Sequence, residues 1–195
     1  MRILPLDAGL LLLAGGGSRR MGEPKALLEV RGVPLLSWQL ARLAPHFEEV
    51  LVAAGGPYTA LPELPAGVRV VHDLHRGKGP LAGIEAGLAA TTRDALFALA
   101  VDLPYAPVEL AAGLLALSEG HDAAVPRLAG RPEPVAAVYR QSAAAEISIA
   151  LRENRLQASA ALSDLDVVYA DGLDGDWFAN LNTPEDYRAF LAALR

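Results

Sequence analysis

The sequence predicts an α/β fold, a three-layer, doubly wound and mainly parallel sheet, and three observations carry that expectation. Short apolar runs alternate with segments of helical spacing, as in repeated βα units. The first run, Leu10 to Leu13, breaks directly into Gly15, Gly16 and Gly17. The most apolar run, Ala95 to Val101, ends directly in an acid, Asp102. Strands buried on both faces read as continuous apolar runs, and such strands belong to parallel sheets covered by helices on either side.

The elements follow in order. Leu10–Leu13 is the first strand, followed by the glycine-rich turn and a short extended piece over Ala26–Val30 that ends in a turn at Arg31-Gly32. Pro34 suits the first position of a helix, and Leu35, Leu36, Leu40 and Leu43 continue it to Pro45. Glu49–Ala54 is the second strand, Tyr58–Leu64 one helical turn, and Val68–Val71 the third strand. A polar loop, His72 to Gly79, leads to Pro80 and a helix over 81–90, on which Gly83 and Gly87 share a face and permit close approach of a neighbour.

Ala95–Val101 is the fourth strand and Val108–Leu117 the next helix. Asp122–Val125 is the fifth strand, Pro126–Pro134 a turn-rich loop carrying Arg127 and Arg131, and Val135–Tyr139 the sixth strand. A helix over Ser142–Arg152, a further short helix within Glu153–Asp164 and a late strand at Val167–Ala170 complete the alternation. Asp171–Asp176 is a solvated acidic loop, lacking the spaced ligands of an EF-hand. Thr183 caps a terminal helix that has Pro184 at its first position and acids in its first turn. No repeat or linker interrupts the chain, so residues 1–195 are expected to form a single domain.

Composition excludes several function classes. The chain has no cysteine, which removes disulfides, thiolate metal sites and cysteine nucleophiles. Its net charge of −6 argues against nonspecific nucleic-acid binding and requires any phosphate site to be a local concentration of positive charge. No apolar run approaches the roughly 18 residues of a membrane span. Pro5 and Asp7 interrupt the start of the chain in a way that does not suit a signal peptide, so a cytoplasmic location is expected.

A buried strand that ends in glycines bares main-chain N–H groups at the carboxyl edge of a sheet, where a turn without Cβ atoms can curl around phosphates. Arg19, Arg20 and Lys25 add positive charge there, and Ser18 adds a hydrogen-bond donor. Gly17 to Gly22 has P-loop spacing but runs on into Glu23-Pro24-Lys25 rather than Lys-Ser/Thr. A dinucleotide fingerprint fails as well, because Gly15 and Gly17 are followed by Arg20 and Pro24 interrupts the helix that should follow. A nucleoside triphosphate site remains.

Ligands of open parallel sheets lie beyond the carboxyl ends of the strands. That rule gathers Ala14 to Gly17 with Arg20 and Lys25 from the first strand, Ala54 and Gly55 from the second, Asp73 from the third, Asp102 from the fourth, and Asn180 and Asn182 from the C-terminal segment. Asp102 is placed to hold Mg²⁺ against a triphosphate. Asp73 can accept from a base or ribose, or cap the following turn; His72 and His75 beside it read as polar surface.

With these residues assembled, the chain resembles the nucleotidyltransferases whose signature is Leu-Ala-Gly-Gly, Arg-Met-Gly and a lysine, present here as Leu13-Ala14-Gly15-Gly16, Arg20-Met21-Gly22 and Lys25. Within that group it is most similar to the molybdenum cofactor guanylyltransferases. Gly79-Pro80-Leu81-Ala82-Gly83-Ile84, Asp102-Leu103-Pro104, Arg131-Pro132-Glu133-Pro134 and Asn180-Leu181-Asn182-Thr183-Pro184-Glu185 resemble that family's blocks, and the similarity runs from about Leu10 to Leu194.

The resemblance implies a Rossmann-like nucleotidyltransferase fold and transfer of GMP from GTP to the phosphate of molybdenum-bearing molybdopterin, with release of pyrophosphate. It implies Leu13, Ala14, Gly15, Gly16 and Lys25 as GTP contacts, Asp73 at the nucleoside, Asp102 on both GTP and Mg²⁺, and Asn180 and Asn182 near the metal or the pterin. Lys25, Asp102 and Arg20 form the catalytic set. The implied partners are GTP, a molybdopterin-type substrate and, transiently, other cofactor-biosynthesis proteins or acceptor enzymes; nucleic acid and membrane are not expected, and a monomer is. One departure stands out: the family commonly has a nucleotide-touching asparagine after the second strand, where this chain reads Ala53-Ala54-Gly55. Two rivals stay open, a cytidylyltransferase for the same pterin or another NTP-dependent nucleotidyltransferase, and a non-catalytic GTP-binding delivery module.

Overall fold

The computed structural model describes residues 5–15, 23–75 and 77–194. Its strands, in chain order, are β1 (Leu6–Leu13), β2 (Glu29–Val30), β3 (Val33–Pro34), β4 (Phe47–Ala53), β5 (Val68–Val71), β6 (Ala95–Ala100), β7 (Ala123–Leu128), β8 (Arg131–Pro132), β9 (Ala136–Arg140) and β10 (Val167–Ala170). The helices are α1 (Leu35–Leu43), α2 (Pro80–Ala90), α3 (Val108–Leu117), α4 (Ala144–Arg152), α5 (Ala158–Ala161) and α6 (Pro184–Ala193).

Strands pair in the order β10-β7-β9-β6-β1-β4-β5, with β8 hairpinned onto β7. β6 lies in the middle of this order, and β1 beside it is parallel to β6 on one side and to β4 on the other. The leucines of β1 are sealed on both faces, as the unbroken apolar run requires. Helices α1, α3 and α6 cover one face, where Leu36, Leu40, Leu114 and Phe190 meet the sheet; α2 and α4 cover the other with Ile84, Leu88 and Ile147. The three-layer, mostly parallel expectation holds.

Four expectations need correction. The sixth strand, β9, runs antiparallel to both β6 and β7, so the sheet is mixed. No crossover helix separates β7 from β9, and a connection this short cannot return a strand in parallel. The region read as a turn-rich loop continues β7 to Leu128 and forms a tight hairpin with β8, with Ala129 and Gly130 both at positive φ as a type I′ turn requires. Tyr58–Leu64 forms no helical turn, because Pro62 and Pro65 push the residues before them out of the helical region. The extended piece at Ala26–Val30 is instead a 3₁₀ turn, Lys25–Leu27, followed by β2, which pairs with β3.

Helix α2 sits close to the sheet as its glycines predict. A Cβ on Gly83 would lie 3.0 Å from Leu13 Cδ2, and one on Gly87 would lie 2.5 Å from Leu11 Cδ2. That close seat brings the N-terminus of α2 beside the carboxyl end of β1. Among the described residues no helix is long and apolar enough to cross a membrane.

Candidate active site

Beyond Leu13 the chain folds over the end of β4. The amides of Ala14 and Gly15 both donate to the Ala53 carbonyl, at 2.9 and 3.1 Å. This brings Gly15 against the next strand's exit so tightly that a Cβ on it would stand 2.8 Å from the Gly55 nitrogen and 2.9 Å from its Cα. Glycine here answers a close main-chain approach. Gly16 and Arg20 of the expected site, with Gly17, Ser18, Arg19, Met21 and Gly22, lie outside the described residues.

On the other flank, the Val101 amide donates to the Leu13 carbonyl at 3.1 Å, and the next residue is Asp102. The Asp102 carbonyl accepts from Leu181 N at 2.9 Å, which stitches the C-terminal segment to the same strand end. Lys25, on its 3₁₀ turn, donates from Nζ to Asp102 Oδ2 at 2.7 Å and to Asn182 Oδ1 at 2.8 Å. Asn182 is itself held: its amide donates to Asp186 Oδ2 at 3.0 Å, part of the capping box that opens α6. Hydrogen bonds from Thr183 keep the Asp186 carboxyl below the usual carboxylate range.

A cleft of about 310 Å³ opens at this edge, lined by Leu13, Ala14, Gly15, Lys25, Asp102 and Asn180. Six expected site residues thus share one cavity, with Asn182 bonded to its lysine. Gly79, Pro80 and Val135 also line it and were not anticipated as site residues. In the sequence the Gly-Pro pair reads as a helix start within a block shared with the resembling family, with no site role attached. Because it starts α2, the cleft receives a helix N-terminus, whose partial positive charge favours an anion.

Asp73 stands in a narrow recess that shares Leu13, Gly15, Gly79 and Pro80 with the cleft. Its amide donates to the Gly55 carbonyl at 3.1 Å. Burial pushes its carboxyl up to about 6, with His72 opposing the rise and Glu85 adding to it. Ala54, where an asparagine is common in the resembling family, is buried, and its amide donates to the Val71 carbonyl. His75 faces Glu85, a buried residue of α2, at 3.7 Å.

The donor set suits Mg²⁺. Asp102, Asn180 and Asn182 offer hard oxygen atoms, and Mg²⁺ in phosphate-transfer sites takes one or two carboxylates together with substrate phosphates. Among the described residues no group of three or more His, Cys, Asp or Glu is arranged as a metal site, so a metal here would rely on Asp102 and the nucleotide.

A mixed sheet with a glycine-edged cleft at the carboxyl ends of its strands, lined by one carboxylate paired with a lysine, suits an α/β nucleotidyltransferase. Residues 10–167 match the MobA-like NTP transferase domain, and the chain belongs to that family. It is 37% identical over 191 residues to a molybdenum cofactor guanylyltransferase of Cereibacter sphaeroides, covering 95% of this chain and 96% of that one. It is 34% identical over 197 residues to a probable molybdenum cofactor guanylyltransferase of Pelotomaculum thermopropionicum, covering 93% and 90%. Among solved structures, the molybdopterin-guanine dinucleotide biosynthesis protein A of Archaeoglobus fulgidus superposes with a TM-score of 0.79 at 27% identity, covering 95% of this chain and 98% of that one.

Proposed function

We propose that the protein transfers GMP from GTP to the phosphate of molybdenum-bearing molybdopterin. An acceptor phosphate oxygen forms a bond to the α-phosphorus, the bond from that phosphorus to the bridging oxygen of the β-phosphate breaks, and pyrophosphate leaves. The observation that carries this reading is the meeting of Lys25, Asp102 and Asn182 at the edge of a cleft walled by Gly15. The relatives' names support guanine as the base and the pterin as acceptor.

The acceptor is already an anion near neutral pH, so the residues need supply no strong base. Their task is to hold two anions in line and offset their repulsion. Ala14, Gly15 and Gly16 are assigned as nucleotide contacts, Lys25 and Arg20 as its positive charge, and the N-terminus of α2 adds to the same field. Asp73 accepts from the nucleoside. Asp102 would hold Mg²⁺ on the nucleotide, with Asn180 and Asn182 beside the metal or the pterin. When bound, that ion neutralises charge on the phosphates. Among the described residues one eight-stranded sheet runs through the chain from β1 to β10, with the β2–β3 pair apart from it, and this supports a single domain.

Pyrophosphate release measured with GTP, CTP and UTP in the presence of molybdopterin tests the proposal. Release with GTP alone supports it. Preference for CTP favours the cytidylyltransferase, and GTP binding without turnover favours a delivery module.

A further inference from the structure

Gln39 lies on the core face of α1 and is fully buried among Leu35, Leu36, Leu40 and Leu43. An amide there is costly, because burying a polar group without a full set of partners loses hydration that packing does not return. The cost is only half met. Nε2 donates to the Val101 carbonyl at 2.8 Å, while Oε1 has no hydrogen-bond partner among the described residues. A helix needing only to pack would carry leucine or methionine at this position. Departures from local rules of this kind concentrate where function requires them.

The group that Gln39 holds is the carbonyl immediately before Asp102. Three residues on, and so on the same side of the helix, Arg42 donates to the Pro104 carbonyl at 2.5 Å and to the Ala106 carbonyl at 3.4 Å. Its guanidinium is itself fixed over the Trp38 ring, 4.5 Å from the centroid. Helix α1 therefore grips the main chain before and after Asp102 from beneath, while Leu181 N holds the Asp102 carbonyl from the C-terminal side. Every one of these bonds is to main chain, which leaves the carboxylate to Lys25.

We propose that Gln39 and Arg42 are positioning residues for Asp102: they fix the strand exit so that its carboxylate meets Lys25 and the metal-bearing nucleotide in one orientation. This rests on Asp102 being the carboxylate that holds the metal and the nucleotide. Partners that orient a metal ligand typically contribute 10- to 100-fold to metal affinity.

The test is Q39L, with amide exchange and nucleotide titration as readouts. In the ligand-free protein, exchange at Leu103 and Leu181 should quicken relative to wild type, while exchange in the centre of β1 stays the same. Binding of GTP in the presence of Mg²⁺, followed by calorimetry, should weaken by about tenfold, while binding of GTP in EDTA stays within about twofold of wild type. A folded Q39L whose Mg²⁺-dependent titration superimposes on that of wild type overturns the proposal, as does an equal loss of binding with and without the metal.

Should Q39L fail to fold, Q39E replaces it. Its carboxyl can donate to the Val101 carbonyl when protonated and cannot when ionised. Affinity for MgGTP relative to wild type should then fall as pH rises from 5.5 to 8.5, and a flat ratio overturns the proposal. If wild type itself binds GTP equally with and without Mg²⁺, the reading of Asp102 fails; if wild type depends on Mg²⁺ and Q39L matches it, only the present inference fails.

Discussion

Lys25 and Asp102 are 77 positions apart in the chain, yet the lysine Nζ lies 2.7 Å from Asp102 Oδ2. Both side chains are mostly buried, with 17% and 24% of their surface exposed, so the contact is more than a solvated surface pair. It joins the 3₁₀ turn at Lys25–Leu27 to the end of β6, which places a cation at the mouth of the cleft. Lys25→Met should weaken GTP binding and lower turnover, by about a hundredfold in combination, as loss of a preorganised charge at a phosphate does. Calorimetric GTP titration together with pyrophosphate release checks this.

Gly15 has no room for a side chain. A Cβ would meet the Gly55 main chain at 2.8 Å, and backbone cannot swing aside as a side-chain end can. Gly15→Ala should cost about 1–3 kcal/mol of stability, the usual cost of overpacking, and should open the turn over the cleft. Urea unfolding should show the first effect and a weaker GTP titration the second.

Gly87 offers a contrast on the same sheet. Its added Cβ would strike Leu11 Cδ2 and Leu96 Cδ2, the mobile ends of two core side chains remote from the cleft. Gly87→Ala should also destabilise by about 1–3 kcal/mol but lower GTP affinity less than Gly15→Ala does. The pair of variants separates packing from site geometry.

Asp73 makes stability and pH pull in opposite directions. Its carboxyl is raised from 3.8 to about 6, chiefly by burial. Between those two values the folded chain holds a proton that the unfolded chain has released. The contribution of this group is therefore fully favourable below about pH 4 and is lost as pH rises through about 6. Asp73→Asn should stabilise the fold near pH 7.5, by roughly 1 kcal/mol once solvent screening is allowed for, and should have no such effect near pH 4. GTP affinity should nevertheless fall in the variant, which lacks the carboxylate proposed to accept from the nucleoside. Denaturant unfolding at the two pH values, with GTP titration at the higher one, tests both signs.

Much of this was legible in the residues. Leu10–Leu13 runs into glycines, as a strand buried on both faces does at a ligand-binding edge; Ala95–Val101, the most apolar run, ends in Asp102, and β6 lies in the middle of the strand order, next to β1. What was not legible was long-range. Periodicity reports which face is buried but not which strand lies beside which, so the insertion of β9 between β6 and β7 left no trace in the βα rhythm. Asn182 looked like a site residue from its block, yet its role in holding Lys25 depends on a contact across 157 positions. Gln39 carried a local signal, one amide on an otherwise leucine-rich helical face, whose meaning appears only once the Val101 carbonyl is seen above it.

The central claim is that Asp102 holds the metal-bearing nucleotide during transfer. The most direct measurement is Mg²⁺-dependent pyrophosphate release from GTP, with molybdopterin as acceptor, by Asp102→Asn beside wild type. The variant keeps the side chain's size and removes its charge. The account predicts a loss of about a thousandfold or more, with native circular dichroism retained. Near-normal, Mg²⁺-dependent turnover by the variant would contradict it.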